Sequence, residues 1–234
     1  MSSGHGQEVA LEVAAAHESN AERHATLTRE RVLAAAVALA DREGIEAVSM
    51  RKLGQEVGLE AMSLYTHVHS KDDLLGGMVE AVVGEISVTP AGLDWKAGLR
   101  RTILGARAVT LRHPWAPRII ETRPAPGPET LRYLDGVMAI LRGGGLSVEL
   151  THHALHVMGS RLLGFTQDLF DDSREPDPAV TAAFAAQIAG TYPHVAEMAV
   201  AVSHDGGLGG CDDDVEFEVG LDLIIDGLER LRDR

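Results

Sequence analysis

Between Ser49 and Val68 the chain is cut into two helical segments, each too short to stand alone, hinged on a single glycine. Ser49 is placed to cap Met50–Val57, and Gly58 to stop it, since a glycine just past a helix end takes the left-handed conformation without a Cβ penalty. Beyond Gly58, Leu59, Leu64 and Val68 fall at helical spacing and face inward. Met62, Ser63, Tyr65, Thr66 and His67 are left on the outer surface. That mix of hydroxylic, aromatic and small groups suits base edges and phosphates. Two short helices about a glycine turn form a helix-turn-helix.

The flanks complete a small head. Thr28 caps an amphipathic helix expected to run to about Glu43, where Gly44 ends it. Ser70 and Asp73 form a capping box that opens a fourth helix, from Lys71 to near Ser87, carrying Leu74, Leu75, Met78 and Val82 inward. The expected organisation is a mobile extension over residues 1–25, a DNA-binding head over 26–75, and a second helical domain over 76–234.

In that second domain, Pro90-Ala91-Gly92 marks a break, and Asp94 caps a helix that His113-Pro114 stops. A short helical piece covers Trp115 to Thr122, and Pro128 sits in the first turn of the next helix, which ends at Gly143–Gly145. Further helices are expected from Val148 to about Phe170, from Pro178, from Pro193, and from Val215 to about Leu231. No stretch alternates as a strand would, so the fold class is all-α. The apolar stripe Phe217, Leu221, Ile224, Ile225 and Leu228, with the Val148–Phe170 helix, exceeds the needs of a small core and predicts a four-helix homodimer interface, which Ile225→Glu should break.

Composition bears on the partner. The chain carries a net charge of −14, and residues 22–73 hold seven Lys or Arg against nine acids. Phosphate contact must therefore come from a few placed cations, not a broad positive field. Arg51, Lys52 and Lys71 are the candidates, Lys71 for a phosphate at a helix N-terminus. No apolar run is long enough to span a bilayer, which predicts a cytoplasmic protein without a membrane partner. The single cysteine, Cys211, excludes an internal disulfide and a Cys-x-x-Cys metal knuckle. No nucleophile elbow, phosphate loop, metalloprotease motif or dinucleotide fingerprint occurs, so neither an enzyme nor a bound cofactor is expected.

The residues from Arg31-Val32-Leu33 through Val48-Ser49-Met50-Arg51-Lys52-Leu53-Gly54 and Leu64-Tyr65-Thr66-His67-Val68 to Lys71-Asp72-Asp73-Leu74-Leu75 resemble the TetR family of one-component regulators. Thr122-Arg123-Pro124, Leu162-Leu163-Gly164 and the Gly220–Glu229 stretch are similar to the C-terminal domain of its tetracycline-repressor branch. The resemblance implies a repressor that binds a pseudo-palindromic double-stranded operator as a homodimer and is released by a small-molecule effector. It puts Thr28, Ser49, Arg51, Lys52, Met62, Ser63, Tyr65, Thr66, His67 and Lys71 at the DNA.

For the effector, the resemblance points to Thr102, Ala106, Trp115, Ile119, Thr122, Arg123, Val137, His156, Ser160 and Asp168. Where that branch has metal- and drug-binding groups, this chain has Ile119, Val137 and Ser160, although Asp168 keeps the place of a carboxylate. The departures imply a drier, largely apolar pocket and no metal. His152 and His156 lie four apart on one helix face, a spacing that could hold a metal, but no Cys or Glu joins them at motif spacing. Two other readings fit the same residues. One is an effector-independent or activating regulator, which would show no ligand-induced release. The other is a helical small-molecule-binding protein or enzyme, which would show no sequence-specific DNA binding.

Overall fold

The computed structural model describes residues 28–89, 94–164, 178–201 and 213–233. The extension expected over 1–25, the break at Pro90 and the end of the helix expected to reach Phe170 lie outside them. Among the described residues all regular structure is helical. The head comprises α1 (Arg29–Glu43), α2 (Met50–Val57) and α3 (Ala61–Leu64); α4 (Lys71–Gly84) leads out of it. There follow α5 (Trp95–Arg112), α6 (Ala116–Thr122), α7 (Pro128–Gly143), α8 (Val148–Gly164), α9 (Pro178–Ala189), α10 (Pro193–Ala201) and α11 (Asp213–Arg232).

The caps read from sequence are made. Thr28, Ser49, Ser70, Asp94 and Ser147 each accept a hydrogen bond from a backbone N–H of the first turn, satisfying donors that the helix itself cannot pair. The Asp73 carboxylate reaches past Ser70 and accepts instead from the His69 N–H at 2.8 Å. Gly58 turns the chain at φ 72°. Gly54 matters for a different reason: a Cβ there would lie 2.7 Å from the Leu59 carbonyl oxygen. Only glycine lets α2 approach the chain entering α3 that closely.

One apolar core unites the head with the helices that follow it. Val32, Ala36 and Leu39 of α1, Leu53 of α2, and Leu64 and Val68 meet Leu74, Met78 and Val82 of α4. The same cluster continues through Ala106 and Val109 of α5 to Trp115 and Ala116. Packing accordingly divides the chain after Leu141, so residue 75 lies inside the first of two compact units.

In the second unit α8 packs on α11. Phe217, Leu221, Ile225 and Leu228 are buried there within the single chain. This differs from the interface expected of that stripe: α11 spends it on its own unit. It leaves a different ridge outside, with Val219 and Leu223 exposed by 50% and 66%. Helix α11 also begins at Asp213, two residues ahead of the expected Val215, and α4 ends at Gly84 and not near Ser87.

A polar clasp closes the head. Arg29 forks onto Asp73, Nη2 donating to Oδ1 at 2.6 Å and Nη1 to Oδ2 at 3.0 Å. Nη1 also donates to the His67 carbonyl at 2.7 Å. The start of α1 is thereby tied to α4 and to His67, the last of the outward residues after Gly58. The Arg29 hydrogen bond, helped by the His69 N–H, lowers the Asp73 pKa from 3.8 to about 2. A carboxylate with a depressed folded-state pKa stabilises the fold above its unfolded value and loses that contribution as pH falls through the folded one. Asp73→Asn should therefore cost about 1–3 kcal/mol at neutral pH. Urea unfolding should show that difference shrinking as pH drops below 3.8 toward about 2.

Candidate functional site

The outer face of the helix-turn-helix is built by what its inner face buries. Leu59, Leu64 and Val68 are 8%, 0% and 0% exposed, which turns Met62 and Tyr65 outward, exposed by 75% and 42%. Thr66 stands beside them, its hydroxyl donating to the Ser63 carbonyl at 2.7 Å. Ser63 and His67 are half-buried, and Arg51 is exposed in the first turn of α2. Lys71 is exposed at the start of α4. Thr28 and Ser49 spend their hydroxyl oxygens on helix caps.

Lys52 behaves differently from Arg51. Its ammonium pairs with Glu43, which also accepts from Arg42 at 3.2 Å, and Arg42 bonds Glu56 at 2.6 Å. The hydrogen bond from Lys52 lowers the Glu43 pKa. Any DNA contact by Lys52 competes with this network. The sequence does not announce it, because Glu43 and Lys52 meet only once α1 and α2 fold together.

On the effector side, most of the expected residues that are described lie in the first unit. Thr102 is fully buried and its hydroxyl is engaged, donating toward the Gly98 carbonyl at 2.9 Å while the Thr89 N–H donates to it at 3.1 Å. Ala106 and Trp115 belong to the shared core and Val137 is 2% exposed. Ile119 packs at the edge of that core. Thr122 is exposed and donates to the Ile119 carbonyl at 3.0 Å. The Ser160 side chain and Asp168 lie outside the described residues.

In the second unit His156 is exposed, its ring edge-on to His152 at 4.5 Å between centroids. Among the described residues no three His, Cys, Asp or Glu side chains converge as a metal site.

A groove of about 660 Å³ opens between α1 and α4. Leu33, Ala34 and Val37 line it from α1, Gly76, Gly77 and Ala81 from α4, and Arg123 and Pro128 at one edge. Among the described residues, Arg123 is the expected effector residue that lines it. That guanidinium lies against Gly76, where a Cβ would come within 2.5 Å of Nη1. Nη1 itself is buried without a hydrogen-bond partner. Four acids on the same walls are already engaged: Asp73 by Arg29, Asp41 by Trp115, Glu85 by Arg112, and Glu80 by the first turn of α7. Glu80 escaped sequence reading because its partners, the Glu129 N–H at 2.6 Å and the Thr130 hydroxyl at 2.7 Å, are about fifty residues away.

Comparison with known proteins agrees with this layout. Residues 32–78 match the family of bacterial regulatory proteins of the tetR type, and residues 89–232 the tetracyclin repressor-like C-terminal domain. The chain is 34% identical over 220 residues to the HTH-type transcriptional repressor DrrR1 of Streptomyces coeruleorubidus, covering 88% of this chain and 78% of the relative. An HTH-type transcriptional regulator of Saccharopolyspora erythraea is 39% identical over 120 residues, about half (51%) of each chain. Among solved structures, apo ActR from Streptomyces coelicolor superposes with a TM-score of 0.72 at 29% identity, over 86% of this chain and 94% of that one. ActR in complex with actinorhodin gives 0.72 at 28% identity, over 87% and 96%.

Arg51 and Lys71, both exposed, should act differently. Arg51→Ala is expected to cost about 1–3 kcal/mol on a cognate site and to relax preference at one position per half-site. Lys71→Ala should weaken all sequences alike and flatten the salt dependence. Anisotropy titrations on matched and mismatched duplexes at several salt concentrations separate the two.

Proposed function

The chain belongs to the TetR family of bacterial transcriptional regulators, and from that premise we propose that it is a homodimeric repressor. In this reading two heads sit in successive major grooves of a pseudo-palindromic operator, and a small, largely apolar effector releases them. The observation that carries the reading is the mounting of the head. The exposed face of Met62, Tyr65 and Thr66 sits on a core that runs without interruption to Trp115 and Ala116. A displacement of α6 is therefore felt by the recognition segment.

The dimer rests on the α11 ridge. Val219 and Leu223, one helical turn apart, stay exposed beside a buried stripe, and α8 adds Val148 at 71% exposure. Leu223→Glu should leave the subunit folded and shift light scattering from dimer to monomer, with loss of operator binding. A variant that stays dimeric moves the interface elsewhere. Ile225, buried in its own unit, would report on folding and not on assembly.

For the effector, Ile119 and Val137 provide no metal-ligating atom, which favours an apolar molecule bound without a divalent ion. Arg123 and Thr122 could hold one polar or anionic group of it. Actinorhodin, the compound in the ActR complex, is the first molecule to try. Operator fragments are selected from genomic DNA, and release is followed with and without a chelator. Release that survives the chelator is expected. Release that requires magnesium would overturn the metal-free reading, and a chain that selects no fragment would overturn the repressor reading itself.

A further inference from the structure

At the far end of α1 from the Arg29 clasp, the head is held a second time, and by a different partner. The Asp41 carboxylate faces the turn that joins α5 to α6 and is met there by two side chains more than seventy residues away. Trp115 Nε1 donates to Oδ1 at 2.7 Å. His113 Nδ1 lies 2.9 Å from Oδ1 and 3.0 Å from Oδ2. The two rings are edge-on to each other, 6.2 Å between centroids. Behind His113, Nε2 is buried and lies 3.4 Å from Glu85 Oε1, too far for a good hydrogen bond. Glu85 accepts from Arg112 Nη2 at 2.6 Å.

The chemistry of this contact differs from the core around it. Apolar packing is non-directional: it carries a displacement but does not by itself fix the register of one helix on another. A carboxylate that receives an indole N–H and an imidazole nitrogen is directional, and its strength falls steeply with misalignment. The surroundings sharpen this, because Trp115 is 6% exposed and the His113 side chain 9%. An indole N–H turned away from Asp41 there would lose its partner without gaining water. The Asp41 contact therefore fixes the register of α1 on the α5–α6 turn.

Its position gives the head a second route to the α5–α6 turn, beside α4, which itself packs on α6. Helix α4 leaves the head by chain connectivity and is strapped to α7 through Glu80. The Asp41 contact instead joins α1 directly to the residue preceding α6, since Trp115 is the N-cap of Ala116–Thr122. We infer that Asp41 and Trp115 form a catch that makes α1 and α6 move together. They are positioning residues that pass a displacement of α6 to the recognition segment, and an operator-imposed shift of the head back to α6. The inference rests on the repressor reading and adds to it the side chains that carry the coupling. By reciprocity, what α6 does to the operator contact, operator must do to α6.

The test uses the full-length protein and an operator fragment selected from genomic DNA, with hydrogen exchange followed by mass spectrometry. Operator touches only the head, yet in the wild type it should slow exchange over residues 113–122 by about tenfold, within the usual range of coupling between sites. Asp41→Ala and Trp115→Phe should abolish that remote protection while the head amides remain protected by DNA. A merely structural loss would raise exchange equally with and without DNA and leave the DNA-induced difference intact. Should Asp41→Ala fail to fold, Trp115→Phe decides, because it keeps the ring in the core and deletes only the N–H. Remote protection that persists in Trp115→Phe, or that is absent from a DNA-bound wild type, overturns the catch. A wild type that binds no fragment overturns the repressor reading and the catch with it.

Discussion

A head of three short helices cannot bury enough apolar surface to stand by itself, and the whole arrangement follows from that shortage. Its helices have one good inward residue per turn: Val32, Ala36 and Leu39 on α1, Leu53 on α2, Leu64 and Val68 after the turn. Met78, Val82 and Val83 of α4, with Trp115 and Ala116 beyond, supply what is missing. Because the core is borrowed, the head cannot be a freely swinging module. It shares one buried apolar cluster with the helices that follow it, and packed interiors transmit displacement.

Polar groups then set what the apolar core leaves undetermined. Arg29 binds Asp73 and the His67 carbonyl, fixing where the recognition segment ends. Glu80 accepts from the Glu129 N–H and the Thr130 hydroxyl in the first turn of α7. Asp41 takes the indole of Trp115. Each joins two helices and has the directionality that hydrophobic contact lacks. With a net charge of −14, DNA contact has to come from a few placed cations. Arg51 and Lys71 stand exposed on the head, while Lys52 is engaged by Glu43. Such a surface favours a few placed contacts over general attraction to the duplex.

Much of this was legible in the residues. Caps at Thr28, Ser49, Ser70 and Asp94, and the stop at Gly58, are local chemistry, and local chemistry is written in sequence order. The inward set Leu59, Leu64 and Val68 followed from spacing alone. What was not legible depends on which surfaces meet. Periodicity marks the stripe Phe217, Leu221, Ile225 and Leu228 as buried but cannot say against what, and it is spent within its own unit. Thr102 reads as a polar pocket wall, yet Gly98 and Thr89 engage its hydroxyl. Trp115 is expected at the effector, but its N–H is committed to a residue 74 positions away. Long-range polar pairs leave no periodic trace.

The head and the helices through α6 form one cooperative body, and native-state hydrogen exchange under increasing denaturant measures this most directly. Amides of α1 around Leu39 and of α5 around Ile103 and Val109 should open with the same free energy and the same denaturant slope. A head whose α1 amides exchange through a separate opening, several kcal/mol below that of α5, would contradict the account.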